Sequence, residues 1–280
     1  MPYLCTHLFF GYSLAQSLDG FVEPTDGAYL LGCLGPDIFF FDRLPPTPFV
    51  PHRKKHGNAL HALPCDVLFD ALLAEATPQD TPYLLGFLTH IALDSTLHPY
   101  IEAHHRGTDH TRFEGVIDSI VYQNTAASVP YESLLLRRFD ASAIDALHAR
   151  LARRLNLVEV EGAYRRSLRK FHRAAPLLFD PKGTRFRFLA RLERLLHREG
   201  LLSAFLLAAP REDREDAMNL GKHTWHSPFL PDASSDRSVP ELFDEAKRYA
   251  TALFDAYRSG DRAALMDLLK NRTMQKGATV

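Results

Sequence analysis

The segment from Gly86 to Ile101, GFLTHIALDSTLHPYI, constrains this chain more than any other. His90, Asp94 and His98 recur at every fourth position, so on an α-helix they project from roughly one side. The residues between them are mostly apolar or small, which predicts a helix buried in the interior. A buried helix that turns two imidazoles and a carboxylate into one space must find partners for them. A divalent metal is one such partner, and imidazole nitrogen with carboxylate oxygen is a usual zinc ligand set. A satisfied His–Asp–His hydrogen-bond network is the other.

Around this segment the apolar spacing is mostly helical. A first helix carries Leu8, Leu14, Ala15 and Leu18, with Thr6 as its expected N-cap. Further helices are expected over about 59–76, over 82–97 with Pro99 beyond its end, over 111–124, and over 239–259. Ile144, Leu147, Leu151 and Leu155 repeat at helical spacing, and so do Phe188, Leu192, Leu195 and Leu196. The Pro-rich stretch 43–51 is a loop. The best β-type stretch, Leu157 to Val160, is short, so the expected class is all-α. The chain of 280 residues is expected to form one all-α domain over 1–270. Its metal-site core is 1–125 and its additional helices are 126–270, with a composition shift near 126–130. Residues 271–280 are expected to be a flexible tail.

Histidine usage adds to the first signal. Nine of the 14 histidines lie in the first 110 residues. His110 and Glu114 form a second i,i+4 pair, and Asp118 follows one turn later. His7 stands at the start of the first helix. Asp37 sits in Gly35-Pro36-Asp37 inside the apolar run YLLGCLGPDIFFF, where an acid must be paired, metal-bound or protonated. His61 opens a predicted helix. His52 and His56 lie in or beside the Pro-rich loop, where solvent exposure is the simpler reading, although residue type alone does not separate them from His61. This set exceeds the three or four ligands of one zinc ion and suits two or three ions. Clustered ions suit phosphoester hydrolysis, because one generates hydroxide and another stabilises the leaving oxygen.

The order THLFFG, GCLGPDIFFF, NALH, GFLTHIALDSTLHPYI and HTRFEGVID resembles the bacterial zinc-dependent phospholipase C family, whose fold group includes the zinc-dependent single-strand nucleases. The resemblance covers about residues 1–125, with NLGKHTWHSPFLPD as a weaker match further on. It implies an all-α, multi-helix bundle around a metal cluster. It also implies a phosphodiester hydrolase that cleaves the glycerol-side phosphoester of a phospholipid with a metal-bound hydroxide. Carried over by position, it implies Asp37, His61, His90 and Asp94 on one zinc and His98, His110 and Glu114 on a second. His7, with Asp94 as bridge, would serve a third. Asp37 also matches the carboxylate proposed as general base. Secreted members hold the third ion through a free amino terminus. This chain starts MPYLCTH without a processing site, so two to three zinc ions are expected, the third without that ligand.

Other readings compete. A single-strand nuclease of the same fold group would stack bases on aromatics, and an inactive metal-binding homologue would keep the residues without the reaction. A di-iron bundle is disfavoured because the paired Glu-x-x-His motifs are missing. A His-Asp phosphohydrolase is disfavoured because the chain contains no His-Asp dipeptide. The net charge of −1 gives no argument for a stable nucleic-acid partner. The segment 131–200 is different, with 16 Lys/Arg against 8 Asp/Glu. It reads as solvated arginine-rich faces or as a positive rim for phosphate-bearing substrate. The expected partner is a phospholipid or another small phosphodiester, with passing contact to a membrane surface. Three cysteines without a CxxC pair give no disulfide framework. Cys5 and Cys33 read as small buried hydrophobes. No apolar run reaches the length of a membrane span and the N-terminus has no signal-peptide pattern, so a cytoplasmic address is expected.

Overall fold

A computed structural model describes residues 4–18, 20–43, 54–104, 108–157, 161–198, 200, 202–211, 216–230 and 233–278. The N-terminal half is built from α1 (Leu4–Gln16), α2 (Gly27–Leu34), a 3₁₀ stretch (Gly35–Arg43), α3 (Lys54–Ala62), α4 (Cys65–Glu75), α5 (Thr81–His104) and α6 (Thr108–Thr125). The C-terminal half adds α7 (Tyr131–Leu136), α8 (Ser142–Arg154), α9 (Ala163–Leu178), α10 (Thr184–Leu195), a 3₁₀ turn (Ser203–Phe205), α11 (Val239–Ser259) and α12 (Arg262–Leu269). The only strands among the described residues form two antiparallel two-residue pairs, β1 (Trp225–His226) with β2 (Ser234–Ser235), and β3 (Arg272–Thr273) with β4 (Gly277–Ala278). The chain is all-α, as its periodicity predicts.

Helix α5 is the axis of the molecule. It is buried around its circumference from Tyr83 to Leu97, the pattern of a core helix rather than a surface one. Asp80 starts it by accepting from the Thr77 amide and hydroxyl at 2.8 and 2.9 Å. Helices α2, α11 and α1 pack around it. The α2 crossing is unusually close because Gly32 and Gly86 face each other. A Cβ on Gly32 would lie 2.2 Å from the Tyr83 carbonyl oxygen, and one on Gly86 would lie 2.1 Å from that of Tyr29. One apolar cluster runs from Leu4 to Met274 and crosses 126–130 through Val129 and Tyr131. No helix among the described residues is long and apolar enough to cross a membrane.

Several expected boundaries move, each for a visible reason. Thr6 lies inside α1 rather than capping it, and its amide and hydroxyl both donate to Asp118 Oδ1 at 2.8 Å. A carboxylate from α6 thus does the capping. The helix expected over 59–76 is two helices, because Pro64 sits between them and has no amide to donate. Pro99 does not end α5, which continues to His104. The C-terminal hairpin covers that point: a Cβ on Gly277 would be 2.6 Å from the Ser95 carbonyl oxygen and 2.7 Å from the Pro99 ring. Residues 272–278 are therefore not the flexible tail expected. They are a β-hairpin packed on α5, with Met274 fully buried. Leu157 is in no strand, and 158–160 lie outside the described residues. Cys5 and Cys33 are buried and free, as expected.

Candidate metal centre

Five elements deliver the eight residues singled out in the sequence. Helix α5 carries His90, Asp94 and His98 on successive turns, α1 carries His7, the 3₁₀ stretch carries Asp37, α3 carries His61, and α6 carries His110 and Glu114. In the buried group, Asp94 Oδ1 lies 3.1 Å from His7 Nε2. Its Oδ2 lies 3.2 Å from His90 Nε2 and 3.6 Å from His61 Nε2. His61 Nε2 is also 3.2 Å from Asp37 Oδ1. The His7 and His90 rings stack with centroids 4.3 Å apart. All five side chains are less than a tenth exposed.

The second group begins one turn further along α5. His110 Nε2 lies 2.7 Å from Glu114 Oε1, and His98 Nε2 lies 3.9 Å from the same oxygen. Glu114 is buried, whereas His98 and His110 are partly exposed. Within the trios His7/His90/Asp94, Asp37/His61/His90 and His98/His110/Glu114, one donor atom per residue lies within 4.8 Å of the others.

The tautomers are set from outside. His61 Nδ1 donates to the Gly57 carbonyl at 2.7 Å, His90 Nδ1 to that of Cys33 at 3.0 Å, and His98 Nδ1 to that of Met274 at 2.9 Å. A carbonyl oxygen accepts only, so in the neutral ring each proton sits on Nδ1 and each Nε2 presents a lone pair inward. Orientation of a ligating imidazole through its other nitrogen is the usual outer arrangement of a metal site. His90 Nε2 is buried without a hydrogen bond, although Asp94 is near. Lone pairs converging on carboxylates leave a space that a cation satisfies, so the donor set fits zinc.

Electrostatics agree. Burial alone would raise the Asp94 pKa, but the charges of His90, His98 and His7 outweigh it and hold the carboxyl well below its ordinary value. Burial would lower that of His90, yet Asp94 and Asp37 raise it to about 9. Burial and the charge of His90 keep its stacked neighbour, His7, below the ordinary value. The stack therefore takes up a single positive charge beside two carboxylates, and a divalent ion can replace that proton.

Two further candidates, Asp118 and His56, fall elsewhere. Asp118 joins neither group. It holds the first turn of α1 through Thr6, and burial pushes its pKa up to about 7. His56 is buried, not solvent-exposed, and its ring faces Phe39 and His148 rather than the carboxylates, so it does not stand in for His61. His52 lies outside the described residues. Trp225 takes a core place, packed edge-on against Tyr100.

Sequence reasoning missed the groups behind the donors. Glu102 Oε1 lies 3.1 Å from His110 Nδ1, and its position four residues after His98 was an available clue. The C-terminal hairpin supplies the Met274 carbonyl, and its Gln275 amide donates to the His61 carbonyl at 3.3 Å. Backbone groups of that kind leave no mark in a sequence.

Comparison with known proteins adds one finding. Residues 6–161, which hold all eight of these residues, match the family described as zinc-dependent phospholipase C. No curated protein and no solved structure matches the chain. More than half of the chain is matched, over the segments that build both groups, and it belongs to the zinc-dependent phospholipase C family.

Proposed function

We propose that the chain hydrolyses the glycerol-side phosphoester of a phospholipid, with His7, Asp37, His61, His90, Asp94, His98, His110 and Glu114 holding two to three zinc ions. The observation that supports this most is the set of three inward Nε2 atoms, of His61, His90 and His98, each ring held at Nδ1 by a backbone carbonyl and each Nε2 facing a carboxylate. Zinc supplies Lewis acidity at a phosphate oxygen and makes water a better acid. Asp94 reaches His7 with one oxygen and His90 with the other, so its two oxygens could serve neighbouring cations. The partly exposed His98 and His110 place the second group where a phosphate can reach it.

Asp37 is the proposed proton acceptor. His61 at 3.2 Å and the charge of His90 hold its carboxyl below the ordinary range despite burial, so it is ionised, and it would accept a proton only from water that a metal held by these residues had made acidic. His61, fixed through Gly57, keeps that carboxylate in place. The test is hydrolysis of a short-chain, water-soluble phosphatidylcholine by wild type and Asp37→Asn at saturating zinc. The reading expects diacylglycerol and phosphorylated head group from wild type. Turnover of Asp37→Asn should fall by about 10²–10⁴ while its zinc content holds. Zinc and activity falling together would leave Asp37 a ligand only and not also the base. No hydrolysis of any phosphodiester by the zinc-loaded wild type would overturn the function.

A further inference from the structure

Helix α10 lies beyond the family-matched region and contributes little to the core. Phe188, Leu192, Leu195 and Leu196 fall at i, i+4, i+7 and i+8, which puts them on one face. All four are exposed, Phe188 by 66% and Leu195 by 76%. Exposed Leu177, Leu202 and Phe205 lie on the segments that flank the helix. Such a concentration of large apolar side chains in water marks a contact surface.

A second stripe runs beside the first. Arg187, Arg191 and Arg194 fall at i, i+4 and i+7, and all are exposed, with exposed Arg198 just beyond the helix end. The helix has a single acid, Glu193, and it is turned inward. Its carboxylate accepts from the amides of Gly200 and Ser203 at 3.1 and 2.9 Å and from the Ser203 hydroxyl at 2.6 Å. Arg185, which would otherwise interrupt the apolar face, is folded back onto the Pro176 and Phe179 carbonyls. The exposed side of α10 is thus apolar along one stripe and cationic along the next, with no carboxylate of its own. It lies in the segment of net charge +8 within a chain whose total is −1.

From this arrangement we infer that α10 is a docking face for an anionic phospholipid bilayer. It lies in the interface plane, with Phe188, Leu192 and Leu195 among the acyl chains and the arginines on the headgroups. The inference extends the phospholipid reading of the metal centre to the surface on which that substrate is met. A bilayer fits better than a second copy, because two copies meeting through this face would set like-charged arginine stripes together. The helix is also joined to the metal-bearing part. Arg211 stacks over Phe186 at 5.2 Å and donates to the Ala204 and Leu206 carbonyls. Its guanidinium fills the space that a Cβ on Gly115, next to Glu114, would need.

The test is co-sedimentation of the purified protein with vesicles of phosphatidylcholine alone or mixed with phosphatidylglycerol. Wild-type binding should rise with phosphatidylglycerol and fall with salt. Arg191→Glu with Arg194→Glu should weaken binding by at least about tenfold, since each charge near such a surface is worth roughly fivefold. Leu192→Ser with Leu195→Ser should weaken it comparably. Lys247→Glu with Arg248→Glu, an equal charge change on α11, should cost much less. Absence of wild-type binding, indifference to the α10 variants, or an equal loss from the α11 pair would overturn the inference. So would a wild-type dimer in solution that the leucine variant dissolves. Hydrolysis of the water-soluble diester reports separately on the metal centre. A chain that hydrolyses it without binding vesicles loses only the docking face, and one that binds without hydrolysing loses only the catalytic reading.

Discussion

Gly32→Ala should damage the metal centre without touching a donor residue. The added Cβ would stand 2.2 Å from the Tyr83 carbonyl oxygen and 2.8 Å from the Gly86 Cα. Both neighbours are backbone of a buried helix, so no side chain can swing aside. Ordinary contact begins near 3.4 Å, and α2 must therefore back away from α5 by about 1.2 Å. The His90 Nδ1 bond to the Cys33 carbonyl, 3.0 Å long, joins those same helices and would open to about 4 Å, beyond hydrogen-bond range. Overpacking of this kind costs about 3 kcal/mol at the upper end, and alanine's better helix propensity returns about 1 kcal/mol. The net of about 2 kcal/mol should lower Tm by roughly 3–4 °C in a chain of this length. Losing the partner that orients His90 should weaken zinc binding about 10- to 100-fold. Thermal unfolding of the metal-free protein and a competition titration with a zinc chelator measure the two effects separately. A Gly32→Ala protein with wild-type Tm and wild-type zinc affinity would refute the close crossing and its role in holding His90.

Gly277→Ala should act on the second group from the far end of the chain. Its Cβ would press on the Ser95 carbonyl and the Pro99 ring, lifting the hairpin whose Met274 carbonyl accepts from His98, and zinc affinity should drop about tenfold by chelator competition. His56 makes a pH prediction. Burial lowers its pKa from 6.5 to about 4, so the unfolded chain binds the proton more readily between those values. Its contribution to stability is complete above pH 6.5 and falls by about 3 kcal/mol as pH drops to 4. Urea unfolding of His56→Leu in excess chelator should show a flatter acid limb than wild type. An unchanged slope would mean that His56 is not buried neutral.

The sequence spoke clearly where side chains repeat on a helix. Spacing of four put His90, Asp94 and His98 on one side of α5, and His110 with Glu114 on one side of α6, whatever the surrounding tertiary structure. Local spacing said less about which prolines end helices. Pro64 separates α3 from α4, while Pro99 is carried within α5 because the core and the hairpin hold the helix together around it. It said nothing about Met274 and Gln275, which reach the site by backbone groups from about 170 to 215 residues away. The Lys-rich neighbourhood of His56 suggests solvent, whereas its ring packs against Phe39 and His148 on other elements. The apolar repeat of Phe188, Leu192, Leu195 and Leu196 was legible as a helix face, but periodicity does not tell whether a face meets protein or solvent.

The most direct measurement is zinc per chain after equilibration in a zinc buffer, for wild type and Asp94→Asn. Asp94 lies within 3.6 Å of the imidazoles of His7, His61 and His90, so removing its charge withdraws the anion that offsets more than one cation. Wild type should carry two to three zinc ions. Asp94→Asn should lose more than one ion and show a lower Tm, because bound metal stabilises the fold. Fewer than one zinc on the wild type, or a full complement on Asp94→Asn, would contradict a multinuclear centre bridged by Asp94.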